Sequence, residues 1–222
     1  MEAEKNTKSV MGNKFEDFRS HEAENEKRDQ EELFQSYFYD LALSPEDFGK
    51  LILDVGGGRG GFASWAREHN LSDDIYTLDP ELKTDEKNKL FAGRVEELPF
   101  QNEVFDLVVS HASIPQLFSG GRYEELDKKQ LVESAVNEML RVLRTEGEIR
   151  LAPLSRGEIQ NWHRPVWEVL RTVLDKLQED GLITSEEETL GKAPTRFNKN
   201  GEAIEGSEEE KILIKIKKMH GK

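Results

Sequence analysis

The chain has 222 residues, 36% of them hydrophobic and 34% charged, with a formal net charge of −14 and no cysteine. That length suits one sizeable domain with room for a small appendage. The acidic balance disfavours nucleic acid as a partner, the missing cysteine excludes disulfides and thiol catalysis, and no apolar run is long enough to span a membrane. The acidic, mixed-charge beginning is unlike a signal peptide, so a cytoplasmic protein is expected.

Residues 1–29 are polar, with Val10, Phe15 and Phe18 as the notable apolar side chains, and read as a mobile segment or loose helix. From Gln30 the pattern changes. Leu33, Phe34, Tyr37, Phe38 and Leu41 recur at helical spacing, and Ser44-Pro45-Glu46-Asp47 marks a turn or short helix start. Leu51–Val55 is a near-continuous apolar run, as expected of a strand buried on both faces of a parallel sheet. A helix follows, with Phe62, Trp65, Ala66 and His69 on its inner face. Ile75–Leu78 is a second strand, closed by Asp79-Pro80, and residues 82–89 are surface polar. Leu90–Ala92 and Phe105–Ser110 are the third and fourth strands.

A long helix is expected over Tyr123–Arg144, with acids in its first turn and Arg141 and Arg144 in its last, both suited to the helix dipole. Thr145-Glu146-Gly147 reads as a turn into a fifth strand, Glu148–Leu151. Trp162, Val166, Leu170, Val173, Leu174 and Leu177 stripe another helix. Residues 180–210 are acidic and glycine-bearing, with Phe197 their sole aromatic and Glu186–Glu188 and Glu208–Glu210 as solvated faces. Ile212–Ile216 closes the chain as a strand. Alternation of strand and helix without a repeat implies one α/β domain.

The segment Leu51 to Phe62 carries the chemistry. A strand ends at Asp54, five glycines follow between Gly56 and Gly61, and a helix begins. Glycines bring bare backbone close to a ligand, and N–H groups at the helix start point towards it. Gly56, Gly58 and Gly61 fit G-x-G-x-x-G, and Asp79 lies 23 residues after Gly56. A nicotinamide-cofactor site needs both features, and a ligand-free tight turn would also produce the glycines. Asp54 separates the readings. A dinucleotide pyrophosphate would be repelled by a carboxylate at the strand end, so a ligand with a positive amino group and no phosphate is the better match.

Asp54-Val55-Gly56-Gly57-Gly58-Arg59-Gly60 resembles the first motif, D-x-G-x-G-x-G, of class I S-adenosylmethionine-dependent methyltransferases. Gly93-Arg94-Val95-Glu96-Glu97-Leu98-Pro99-Phe100 resembles the family's G-D-A-E-x-L-P-F loop. Phe105-Asp106-Leu107-Val108 resembles its fourth-strand F-D-x-V, and Glu138 to Glu148 resembles E-x-x-R-V-L-K-P-G-G. Order and spacing agree over residues 48–152, most closely with small-molecule methyltransferases of the ubiquinone/menaquinone-biosynthesis type. Three departures stand out. Arg94 replaces the adenine-contacting Asp, Thr145-Glu146-Gly147 replaces the proline-glycine turn, and Ile114-Pro115-Gln116-Leu117 stands where relatives often carry a paired His.

The resemblance implies a Rossmann-like, mainly parallel seven-stranded sheet with helices on both faces and an antiparallel last strand. Within residues 30–222 it implies a helical lid (30–47), a cofactor-binding half (48–152) and a substrate-side helix with C-terminal strands (153–222). It implies S-adenosylmethionine as cofactor and a small-molecule methyl acceptor, with neither nucleic acid, membrane nor metal at the site. By resemblance, Asp54 orders the loop and favours the amino group, while Gly56, Gly57, Gly58 and Gly60 admit the methionine part. Asp79 accepts from the ribose hydroxyls, Pro80 flanks adenine, Val95 and Glu96 lie at the adenine edge, and Ser110 sits by the methionine end.

His111 follows where the acceptor should come and either takes a proton or is structural. Tyr37, Phe38 and Tyr39 either cover the site or pack on the sheet edge. Trp162 and His163 either line the acceptor pocket or are a core and a surface residue. His21, His69 and His220 have no metal-ligand spacing. A non-catalytic binding relative and a nicotinamide oxidoreductase remain as competitors.

Overall fold

The computed structural model describes residues 31, 33–114, 128–155, 164–194 and 208–220. The expectations for residues 1–29, Pro115-Gln116-Leu117, the helix start at Tyr123, Trp162, His163 and Phe197 lie outside the described residues. Two compact units divide the chain, Met1–Ser36 and Tyr37–Lys222. A helical run, residues 33–40 (α1), crosses that boundary, and its part from Tyr37 belongs to the second unit.

The second unit then runs through a 3-10 turn (Pro45–Gly49), β1 (Ile52–Val55), α2 (Gly61–Glu68), β2 (Ile75–Asp79), β3 (Leu90–Ala92) and β4 (Phe105–His111). It continues with α3 (Lys128–Val142), β5 (Leu143–Ser155), α4 (Arg164–Glu179), β6 (Ile183–Pro194) and β7 (Glu208–Lys218). The seven-stranded sheet has the order β3-β2-β1-β4-β5-β7-β6. β3 to β5 pair in parallel, and β7 is antiparallel to both β5 and β6. This is the expected Rossmann-like class. After β1 the chain winds to one side through β2 and β3, then returns to build β4 on the other. The crevice at the carboxyl ends of β1 and β4 is therefore the topological switch point, where ligands of open α/β sheets bind.

Register divides the strand residues between two faces. Leu53, Val55, Leu78 and Val108 share one hydrophobic cluster with Val132, Val136 and Met139 of α3 and Val166, Leu170 and Val173 of α4. Ile52, Asp54, Ile75, Thr77, Leu107 and Val109 alternate with these and point the other way. On that second side Phe62, Ala63 and Ala66 of α2 are buried, and Phe62 meets the rings of Tyr37 and Phe48. β1 is buried on both faces, as its unbroken apolar run requires.

The motifs outside the glycine loop are structural ties. Glu138 accepts the Leu98 N–H at 2.8 Å, and Arg141 donates to the Leu98 and Phe100 carbonyls, clamping the third loop onto α3. Asp106 accepts the Leu51 N–H at 2.9 Å and holds Arg144 at 2.7 Å.

Several expectations need correction. The long helix ends at Val142, and Leu143 and Arg144 already belong to β5. The Thr145-Glu146-Gly147 turn is an irregularity inside that strand, with Glu146 at φ 64° and the register to β4 shifting beside it. His69 does not face inward. It caps the C-terminus of α2, exposed, with Nδ1 2.9 Å from the Trp65 carbonyl. The acidic stretch after residue 180 contains β6, unmarked by any apolar run. Glu186 and Glu188 lie across from β7 and pair there with Lys215. Tyr37 is buried, while Tyr39 is 65% exposed and donates its hydroxyl to the Leu190 carbonyl at 2.8 Å.

A buried ion pair ties the approach to β1 onto β5. Arg150 donates to both Asp47 carboxylate oxygens, at 2.9 and 3.2 Å, and to the Ala42 carbonyl, and it also pairs with Glu148. Asp47 further receives Lys50 and the Ser44 N–H. Burial alone would raise the Asp47 pKa, but these bonds hold it at about 2. A depressed carboxyl stabilises above its unfolded pKa and loses that contribution as pH falls. Urea titrations should therefore show about 2 kcal/mol of stability disappearing between pH 4 and pH 2. Asp47→Asn should remove that slope.

Candidate functional site

β1 ends under the glycine loop. Gly56 and Gly58 adopt φ of 76° and 56°, and Gly60, which caps the N-terminus of α2, adopts 78°. A Cβ at Gly56 would strike the Ser113 side chain, and one at Gly57 would land on the Asp54 carboxylate and Thr77. Glycine is thus required at Gly57 by space rather than by φ: the loop backbone lies directly against a buried acid.

That acid is the centre of the site. Asp54 has no exposed surface, and neither carboxylate oxygen has a hydrogen-bond partner. The Thr77 hydroxyl, one strand over at the same register, is buried without a partner as well. Burial pushes the Asp54 pKa to about 7, and the nearby Asp79 carboxylate adds to the rise. Buried polar groups are nearly always paired, so orphaned atoms beneath a glycine loop point to a ligand that completes them.

Asp79 stands at the end of β2 beside the loop. Its Oδ2 accepts the Gly58 N–H at 3.1 Å and its Oδ1 the Glu81 N–H at 2.9 Å, which fixes the carboxylate while leaving further lone pairs. Pro80, Val95, Glu96, Arg94 and Gly93 line one small cleft with Val55, Gly56 and Leu78. The sequence-predicted adenine-side residues are therefore brought together. Val95 is buried, and Glu96 is engaged by the Arg94 guanidinium at 2.9 Å. Arg94, at the family's Asp position, so spends its charge within its own loop.

Ser110 and His111 end β4. The Ser110 hydroxyl lies 2.6 Å from that of Ser113, which donates to the Val55 carbonyl, so Ser110 braces the β1–β4 junction. His111 points to the opposite face. Val109 pairs with Asp54, and His111 is the next residue on the same side. One strand repeat, about 6.6 Å, separates the levels of Asp54 and His111. Tyr37 lies between them. Its ring is 4.3 Å from that of His111, and burial together with the Asp54 charge raises its hydroxyl pKa.

Three members of this site went unread in the sequence. Thr77 carried a signal, a hydroxyl inside an apolar strand. Asp40, which meets His111, and Lys211, which meets Asp40, carried none, since they lie 71 and 100 positions from His111. Among the described residues no group of His, Asp and Glu side chains is arranged to hold a metal ion, and no helix is long and apolar enough to cross a membrane.

Residues 53–151 match the family model of a methyltransferase domain. A curated sarcosine/dimethylglycine N-methyltransferase of Aphanothece halophytica is 32% identical over 97 residues, covering 38% of this chain and 34% of that protein. The chain thus spans about a third of that relative's length. Among solved structures, the putative methyltransferase bound to the Trm112 methyltransferase activator of Haloferax volcanii is 14% identical, covers 86% of this chain and 94% of its own, and has a TM-score of 0.53. That likeness is one of fold. A Burkholderia thailandensis 1,6-didemethyltoxoflavin-N1-methyltransferase, solved with S-adenosylhomocysteine, gives 12% identity, 77% and 72% coverage and a TM-score of 0.45.

The unpartnered acid makes a testable demand on stability. A carboxyl raised from 3.8 to about 7 costs stability progressively as pH rises between those values. Asp54→Asn should therefore unfold at higher denaturant than wild type at pH 8, by at most about 4 kcal/mol, with the gain nearly gone at pH 4. A gain that is the same at both pH values would contradict a raised pKa.

Proposed function

We propose that the protein is a class I, S-adenosylmethionine-dependent methyltransferase that methylates a small-molecule acceptor through the domain spanned by residues 53–151, where the methyltransferase-domain model matches. The observation that carries this reading is the orphaned Asp54 carboxylate beneath the glycine loop. A cationic amino group would satisfy it, whereas the pyrophosphate of a dinucleotide would be repelled.

When bound, S-adenosylmethionine supplies a methyl group on a sulfonium, so that an acceptor lone pair displaces the carbon–sulfur bond in line and a neutral thioether leaves. The chain's own residues hold and orient. Asp54 receives the amino group, Gly56 to Gly60 admit the methionine part, and Asp79 accepts from the ribose hydroxyls. Pro80, Val95 and Glu96 cover adenine, and Ser110 keeps the end of β4 against the loop. Little further chemistry is needed from the protein beyond alignment and exclusion of water. His111 lies on the acceptor side.

A small acceptor is supported by the strongly acidic surface, which repels phosphate backbones, and by the sarcosine/dimethylglycine name of the curated relative. Likeness to the quinone-biosynthesis group rests on the loop motifs alone. A cytoplasmic setting is supported by the absence of cysteine. The competing reading, a relative that binds the cofactor without turnover, draws on Arg94 in the adenine loop.

Calorimetry tests the reading. S-adenosylmethionine and S-adenosylhomocysteine should both bind and NADH should not. Asp79→Ala should weaken the adenosyl ligands about 10- to 100-fold, the loss of a charge-assisted hydrogen-bond pair. If neither adenosyl ligand binds, the reading fails; if NADH alone binds, hydride transfer replaces it.

Affinity should also depend on pH. A cationic amino group favours ionised Asp54, so binding should tighten as pH rises from 5 towards 7.5 and release a proton on the way. Asp54→Asn should bind weakly at every pH and show no such slope.

A further inference from the structure

His111 is the last residue of β4, and its side chain is 8% exposed. Its Nε2 lies 3.1 Å from Oδ2 of Asp40, a residue 2% exposed at the end of α1. The other oxygen of Asp40 accepts Lys211 Nζ of β7 at 2.8 Å. Burial alone would raise the Asp40 pKa, but hydrogen bonds from His111 and Lys211 and the Lys211 charge hold it below the usual value. Asp40 is therefore an ionised carboxylate that can only accept. The imidazole must then carry its hydrogen on Nε2, which leaves a bare lone pair on Nδ1. Among the described residues no hydrogen bond engages Nδ1. The Tyr37 ring, 4.3 Å away and tilted by 31°, holds the plane of the imidazole.

None of this serves the glycine loop. It lies one strand repeat beyond Asp54, on the same sheet face, at the methionine end of the site. We propose that Asp40, anchored by Lys211, positions His111 as general base for an acceptor whose nucleophilic atom bears a proton: an amine or a hydroxyl compound. The inference rests on the methyltransferase reading above. In the step, the proton on the acceptor's nitrogen or oxygen passes to Nδ1 of His111 while the acceptor's electron pair forms the bond to the methyl carbon. Asp40 stays ionised and stabilises the imidazolium, as an orienting carboxylate does in other catalytic dyads. The proton then leaves to water. Among the described residues, the titratable and charged groups facing the imidazole are Asp40 and Tyr37 from α1, with Lys211 of β7 behind Asp40 and Asp54 of β1 beyond Tyr37.

The test uses the full chain, with S-adenosylhomocysteine as binding probe and nitrogen NMR of His111, assigned by its loss in His111→Gln. Wild type above the His111 midpoint should show the Nε2–H tautomer. Asp40→Asn should bind S-adenosylhomocysteine within about threefold of wild type, and its His111 should no longer hold a single Nε2–H tautomer. With an acceptor found among small amines and hydroxyl compounds, its kcat at pH 7 should drop at least about tenfold, with the KM for the methyl donor unchanged. Asp40→Glu should recover part of the rate.

An unchanged Nε2–H tautomer or an undiminished kcat in Asp40→Asn would overturn the proposal. So would a wild type that binds S-adenosylhomocysteine yet methylates no amine or hydroxyl compound. If Asp40→Asn does not fold, the wild-type tautomer decides, and Nδ1–H sinks the idea. Failure of wild type to bind S-adenosylhomocysteine would instead remove the methyltransferase reading itself.

Discussion

A carboxylate without a partner at the end of β1 sets the terms for the rest of this structure. Leaving Asp54 desolvated is unfavourable, as its elevated pKa records. The fold nonetheless builds walls around it. Thr77 supplies a hydroxyl from β2, Gly57 leaves the space that a Cβ would fill, and Asp79 adds a second negative charge close by. A core that sought only stability would place a valine there, as β1 does one residue later at Val55. Local disagreement with the rules of good packing is what marks a binding position. The expense is offset by sites where charge is buried with every partner supplied, above all Arg150, Asp47 and the carbonyls of Leu41 and Ala42.

The sheet then converts one acid into a site with two ends. Parallel pairing places Asp54, Thr77 and Val109 level on one face, and pleating places His111 one step further out. The same pleating sends Ser110 to the other face, where its hydroxyl bond to Ser113 helps close the β1–β4 junction. Neighbouring residues of one strand therefore do different work, Ser110 bracing on one side and His111, in the proposed role, serving the acceptor on the other. Tyr37 joins the two ends physically. It stacks on Phe62 of the helix that follows the glycine loop, feels the charge of Asp54 and covers the ring of His111.

What was legible in the sequence was whatever is decided locally. The strand–glycine–helix segment announces itself because turn geometry and close backbone approach are settled within ten residues. Asp54 and Asp79 are read from their places at strand ends. The E-x-x-R and L-P-F segments were recognisable as motifs, but only the structure shows that Glu138 and Arg141 exist to clamp Leu98 and Phe100. Features settled by pairing at a distance were illegible. β6 has no apolar run because it is the edge strand, and its acids are answered by Lys215 on β7 rather than by a core. The expected turn at Thr145-Glu146-Gly147 failed for a related reason. β5 absorbs a positive φ at Glu146 as a register shift and continues, since β4 and β7 flank it on both sides. Asp40 and Lys211 are unremarkable as sequence, one on a helix and one at the start of a strand, and become a unit only when β4 and β7 bring His111 and Lys211 beneath the same helix end.

Arg94 shows how a departure from a motif can be absorbed without breaking the site. An arginine facing the cleft in place of an acid would add a positive charge where adenine, a neutral base, is to lie. Instead its Nε meets Glu96 at 2.9 Å, within its own loop, and its side chain is 52% exposed. A pair so open to water contributes little to stability. Its effect is to cancel charge. The cleft proposed for adenine is then lined by apolar and backbone groups of Val55, Leu78, Pro80 and Val95 beside a neutralised pair. Electrostatic selection is left to the opposite end, at Asp54. On the proposed reading, that asymmetry would favour a ligand that is cationic at its amino-acid end and neutral at its base over one bearing phosphates, the more so as Asp54 ionises.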